Sequence, residues 1–182
     1  MNMKKMISAI LVIIIVFSLA ACGSVSSSPS ENADAVKDMT SSDGILQLTV
    51  PEGYEETDAL NNEVANLQLM YAAKEQYIMT IFESKIDFSE DMTLDDFRDA
   101  VMQNMQMAES AEFSDAESLT INGYDAQQFT MSGEVSKIKL KYLVTVIETD
   151  SGFCQILSWS LQSRYDEAED VFKQIAESFT EL

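Results

Sequence analysis

LTINGYDAQQFTMSGEVSKIKLKYLVTVIETDSGFCQILSWSL, Leu119 to Leu161, is the stretch that decides the fold. Leu119-Thr120-Ile121 and Asp125 to Met131 flank Asn122-Gly123, a pair that accepts positive φ at both turn positions and so joins two strands tightly. Ser136 to Glu148 and Phe153 to Leu161 form a second pair around Asp150-Ser151-Gly152. Both stretches are rich in β-branched and aromatic residues and are bounded by turn formers, the pattern of antiparallel hairpins.

Working outward, Ile45 to Val50 reads as a strand stopped by Pro51-Glu52-Gly53. Asn66 to Ala73 and Tyr77 to Phe82 read as a hairpin about Lys74-Glu75-Gln76. Two segments carry helical spacing instead. In Leu94 to Met107 the apolar residues Leu94, Phe97, Val101 and Met105 recur on one face, with Thr93 as N-cap and Asp96 three residues on. Near the C-terminus Ala168, Phe172, Ile175 and Phe179 share a face. Met102, Met105 and Met107 make the first helix methionine-rich, which suits core filling more often than an adaptable binding surface. Strands outnumber helices and their connections are short. The expected class is α+β: an antiparallel β-sheet with helices packed on it.

The order of elements carries a resemblance. A strand runs into Val50-Pro51-Glu52-Gly53-Tyr54; strands, an acidic loop and a helix follow. The Ile121-Asn122-Gly123-Tyr124-Asp125-Ala126 hairpin comes next, then two long strands, and the chain closes with Phe172-Lys173-Gln174-Ile175-Ala176-Glu177-Ser178-Phe179. From Ile45 to Leu182 this resembles the PsbP/Mog1-like proteins, small bacterial lipoproteins of that type included, with Tyr54 where their turn carries Trp. The resemblance implies an α/β/α sandwich about an antiparallel sheet. It also implies an accessory or binding role, since the better-known members attach to a photosystem or to a small GTPase. No binding motif of either kind carries over residue by residue.

The N-terminus has its own pattern. Lys4 and Lys5 precede the apolar run Ile7 to Leu19, and Leu19-Ala20-Ala21-Cys22 follows. This is the layout of a secretory signal, too short for a comfortable membrane span. Its last four residues resemble the lipobox of bacterial lipoproteins. That resemblance implies a diacylglyceryl thioether on Cys22, cleavage before it and further acylation (palmitate or similar) of the new amine. Two or more acyl chains anchor stably where one does not. The expected organisation is a signal peptide at 1–21, a lipidated Cys22 with a flexible Ser-rich tether over 22–42, and a single α+β domain over 43–182. A tether of about twenty such residues reaches roughly 25 Å. The expected location is the extracytoplasmic face of a cell membrane.

Charge narrows the partners. The chain carries 11 basic and 31 acidic residues. Loss of residues 1–21 removes Lys4 and Lys5 and no acid, leaving nine basic residues and a net charge of −22. Such a balance argues against nucleic acid and against docking on an anionic membrane.

Candidate chemistry is sparse. There is no His, which removes the usual general base, the usual triad partner and the commonest metal ligand. Cys22 is consumed by lipid in this reading, so Cys154 stands alone, in an apolar run that makes it a buried small hydrophobe. No nucleophile elbow, P-loop or dinucleotide fingerprint is present. We therefore expect no cofactor, no metal and no catalytic residue. Three features stand as candidate sites. Oxygen-bearing side chains alternate from Asp87 through Ser89, Asp91, Thr93 and Asp95 like the start of a calcium loop, but Met92 and Arg98 stand where Gly and Glu are needed. An acidic approach to a capped helix is preferred there. Lys137, Lys139 and Lys141 alternate with apolar residues, which places them on one sheet face, either as a docking stripe or, preferred, as a solvated face that discourages edge pairing. Glu52, Tyr54 and Glu55 would rim a cleft or form an exposed turn.

The leading expectation is a lipid-anchored, non-catalytic accessory protein with an unidentified protein or envelope partner. A small-ligand or cation-binding lipoprotein is the second, and a carboxylate-based hydrolase the third.

Overall fold

The computed structural model describes residues 35–182, Met107 excepted. The expected signal segment 1–21, Cys22 and the first part of the expected tether lie outside the described residues.

The centre of the molecule is β9 (Ile138–Glu148) against β10 (Gly152–Leu161), paired antiparallel from Glu148↔Phe153 to Leu140↔Leu161. From Gly152 to Ser160 every residue of β10 is buried. A strand covered on both faces reads as a continuous apolar run, which explains why FCQILSW shows no alternation. On one flank stand β5 (Gln76–Ser84), β4 (Leu67–Tyr71) and the short β3 (Glu55–Glu56). On the other stands the twelve-residue β8 (Tyr124–Val135), whose far edge is shared by β6 (Glu109–Phe113) and β7 (Glu117–Ile121). The result is an eight-stranded antiparallel sheet.

Each face is covered. The helix α1 (Leu94–Met105) lays Leu94, Phe97, Val101 and Met105 on Phe129, Val144, Val146, Phe153 and Leu157. Phe97 stacks on Phe153, with centroids 4.9 Å apart. Further along this face Trp159 lies between Tyr77 and Tyr142, each 5.5 Å from it. The opposite face carries Ile78, Ile147, Cys154 and Ile156. They pack against Leu46, Leu48 and Val50 of β2 (Leu46–Pro51) and against Ile175 and Ala176 of α2 (Tyr165–Glu177). Tyr165, Ala168 and Phe172 of the same helix close over Leu143. A second sheet of three strands joins β1 (Val36–Thr40), β2 and β11 (Thr180–Glu181).

Local signals set several of these elements. Asn122 (φ 49°) and Gly123 (φ 93°) form the β7–β8 turn with both residues left-handed. At α1, the Asp96 N–H donates to the Thr93 hydroxyl (3.2 Å) and the Thr93 N–H donates back to the Asp96 carboxylate (3.1 Å), a complete capping box. Phe179, expected on the helix, instead follows α2 and is fully buried.

One boundary is corrected. Val36 to Thr40 was expected in the tether, yet it is a strand paired along the edge of β2 from Val36↔Pro51 to Thr40↔Gln47. Backbone hydrogen bonding to an open edge needs little apolar content; Met39 alone packs against the core. The folded domain therefore begins before residue 43.

Candidate functional site

The antiparallel register gives the molecule two distinct ends. At one end lie the turn after β4, the β8–β9 turn, the start of α2 and Ala35, where the described chain enters. Arg164 pairs with Glu75 there (2.8 Å), and the Glu52 N–H donates to Ala35 O (3.0 Å). At the other end lie the β1–β2 and β9–β10 turns, the segment after β5 and the start of α1.

The chain-entry end contains the lysines singled out in the sequence, but not as a stripe. Lys137 does not sit on a strand. It and Ser136 make the β8–β9 turn at φ 70° and 51°, a left-handed pair with no glycine to announce it. Lys139 is exposed opposite Glu134, and Lys141 places its ammonium 4.2 Å from the Tyr165 ring centroid. Only Lys139 and Lys141 share a face.

Tyr54 is corrected too. It is fully buried, its hydroxyl donates to Gln76 Oε1 (2.8 Å), and its ring meets Tyr71 edge-on at 5.5 Å. A side chain so enclosed rims no cleft, and burial pushes its phenol pKa upward. Gly53 permits this packing: a Cβ there would lie 2.3 Å from the Tyr71 ring. Glu52 and Glu55 are exposed.

At the far end, the alternating oxygens from Asp87 to Asp95 are not gathered about one point. Thr93 and Asp96 are committed to the capping box. Asp95 accepts from Arg98 and from the Gln127 amide, both at 2.7 Å. Among the described residues no group of three or more acids and cysteines is arranged to hold a metal. Met105 lies in the core and Met102 against it, in line with core filling; Met107 lies outside the described residues. Cys154 is wholly buried on β10, and burial, with Glu181 adding to it, pushes its thiol well above the ordinary range.

One group at this end was not anticipated. Glu83 lies on β5 opposite Phe153, on the sheet face that α1 covers further across. Its Oε2 is enclosed without a hydrogen-bond partner, and both polar atoms of the nearby buried Gln155 are likewise unpartnered. Burial, helped by the charge of Asp87, pushes the Glu83 pKa from 4.5 to about 7. The neighbouring cation does not relieve it, because Lys85 pairs with Glu148 (2.9 Å). The available sequence signal is a glutamate closing the apolar run Tyr77 to Phe82, which by itself reads as a strand end.

No family model matches the chain, and no curated protein matches it in sequence. Solved structures do match in fold. The chain is similar to cyanobacterial PsbP from Synechocystis, with TM-score 0.60, 17% identity, 90% of this chain and 99% of that chain covered. It is similar to LpqN, involved in cell envelope biogenesis of Mycobacterium tuberculosis, at TM-score 0.57 and 15% identity over 81% of this chain and 90% of that one. The Ran-binding protein Mog1p of Saccharomyces cerevisiae matches at TM-score 0.55 and 10% identity, covering 80% and 95%. The fold is PsbP/Mog1-like, as the order of turns and helices implied.

Proposed function

We propose that this chain is a non-catalytic interaction protein, held by a lipid on Cys22 at the extracytoplasmic face of a membrane. The observation that supports the binding role is the fold: similar scaffolds include one that binds Ran and one involved in cell envelope biogenesis. The thiol and phenols most open to nucleophilic or acid–base roles are enclosed, with burial holding Cys154, Tyr54 and Tyr165 in their neutral forms. Support for the anchor comes from the pattern Leu19-Ala20-Ala21-Cys22 behind a basic and apolar leader. Among the described residues no helix is long and apolar enough to cross a membrane.

Two measurements test this. Intact mass and detergent phase partitioning of the membrane fraction read the anchor: Cys22 should carry the acyl mass, and Cys22→Ala should shift the chain to the aqueous phase. An unmodified Cys22 in the mature chain refutes the anchor. Crosslinking in intact cells, followed by tagged recovery from membranes, reads the role: a stoichiometric protein partner is expected.

One observation favours a second reading, the carboxylate-based hydrolase. Burial beside Asp87 pushes the Glu83 carboxyl up to about 7, the range in which a general acid or base works best. A screen against esterase, glycosidase, phosphatase and peptidase substrates decides it. Turnover that is lost in Glu83→Gln with the fold intact would replace the first reading.

A further inference from the structure

The charge of the domain is divided between its two ends. Lys37, Lys74, Lys137, Lys139, Lys141 and Arg164 are six of the nine basic residues left after loss of 1–21, and all lie at the chain-entry end. Lys37 pairs with Val50 one step from Val36↔Pro51. Lys74 lies in the turn between β4 and β5, and Arg164 reaches across to Glu75 of that turn (2.8 Å). Lys137 and Lys139 lie at the β8–β9 hairpin, and Lys141 is opposite Ser160 near the end of β10. Acids stand among them, with Glu75 on Arg164, Glu134 opposite Lys139 and Glu109 beside it, and Glu52, Glu55, Glu56, Asp166 and Glu167 nearby, so this end is mixed in sign. The far end is more acidic. Asp43, Asp87, Asp125, Glu148, Asp150 and Glu181 converge there from five different turns and strand ends, with Lys85 as the cation nearest the β9–β10 turn.

We propose that the domain stands on an anionic lipid surface with its lysine-bearing end inward and its acidic end outward, and that the exposed lysines of the β8–β9 hairpin touch the headgroups. This rests on the anchored reading of the chain. The geometry favours it in two ways. The described residues begin at Ala35, whose carbonyl accepts from the Glu52 N–H at this same end, and the twelve residues between Cys22 and Ala35 can reach at most about 45 Å. The anchor and the lysines thus face one way. The whole-chain charge opposes contact with an anionic bilayer, but only the charges within a Debye length of about 8 Å feel the surface. With the more acidic end held away, the surface meets the end of mixed sign, where Lys137 and Lys139 are exposed. Turned over, it would meet carboxylates. Field and tether select the same orientation.

The test uses the full chain as recovered from membranes, reconstituted in vesicles of phosphatidylglycerol and phosphatidylcholine containing a headgroup-photoreactive phosphatidylglycerol. Crosslinked residues are mapped by mass spectrometry. Adducts are expected at Lys74, at Ser136 to Lys141 and at Gln162 to Arg164, and not at Ser84 to Asp91 or Asp150-Ser151. Changing both Lys137→Glu and Lys139→Glu should lower the hairpin adducts by about thirtyfold, the product of about fivefold for each lysine at an anionic surface. High salt should do the same. A tether alone would leave the pattern unchanged by salt and by charge reversal, and that result overturns the proposal, as do equal adducts at both ends. The mass of Cys22 is read in the same sample. If it is unmodified, the anchor has failed on its own, and the comparison is repeated with the Cys22 thiol coupled to a maleimide lipid, so the orientation still stands or falls. Circular dichroism confirms that the double variant is folded.

Discussion

Replacing Glu83 by Gln should stabilise this protein at pH 8 and leave it nearly unchanged at pH 4. The Glu83 Oε2 is enclosed with no partner, and this burial and the nearby charge of Asp87 together raise the carboxyl from 4.5 to about 7. Below pH 4.5 the group is protonated in both the folded and the unfolded chain, and it contributes nothing to the difference. Between 4.5 and 7 the folded state keeps a proton that the unfolded chain releases. Above 7 the folded state must hold a bare carboxylate in a poor setting. Stability is therefore lost as pH rises through this window. A displacement from 4.5 to about 7 corresponds to a ceiling of about 3 kcal/mol. Glu83 is only partly buried, so solvent screening reduces this to about 1–2 kcal/mol. Gln keeps the shape and removes the charge. Urea unfolding, followed by fluorescence of the lone Trp159, 3% exposed and stacked between Tyr77 and Tyr142, measures the difference. The expected result is a midpoint that falls from pH 4 to pH 8 in the native chain and falls less in Glu83→Gln. Equal pH dependence in the two chains, or destabilisation of the variant at pH 8, would refute the reasoning.

Other substitutions test other joints of the fold. Thr93→Ala removes the hydroxyl that accepts from the Asp96 N–H and should cost about 1 kcal/mol in the same urea assay, with Thr93→Ser restoring most of it. Phe97→Ala empties a fully buried site between α1 and Phe153 and should cost about 3–5 kcal/mol, seen as a drop in melting temperature. Cys154 should resist Ellman's reagent in the native chain and react promptly in 8 M urea (a condition of about that strength unfolds small domains). Prompt native labelling would contradict its complete burial.

What could be read without coordinates was whatever neighbours in sequence decide. The Asn122-Gly123 turn, the Thr93/Asp96 box and the apolar face of α1 are each set by residues within a few positions of one another, because φ preference, capping and helical periodicity act locally. The run from Phe153 to Trp159 announced a strand and a buried Cys154 through composition alone. With the order of these elements, that was enough for the PsbP/Mog1-like architecture. It was not enough for the sites. Val36 to Thr40 became a strand because β2 offers an open edge, a fact of pairing that polar residues do not advertise. Tyr54 went inside because Gln76 waits twenty-two positions away to accept its hydroxyl. Ser136-Lys137 took a left-handed turn without glycine because the β8–β9 register, from Asp125↔Glu148 to Val135↔Ile138, leaves two residues to close the hairpin. Glu83 became a near-neutral acid through burial beside Asp87, and no spacing in the sequence encodes burial. The division of charge belongs to the same class. Lys74, Lys139 and Arg164 are scattered along the chain and meet at one end only because antiparallel register brings their turns together, while the carboxylates of five other turns and strand ends are carried to the opposite end.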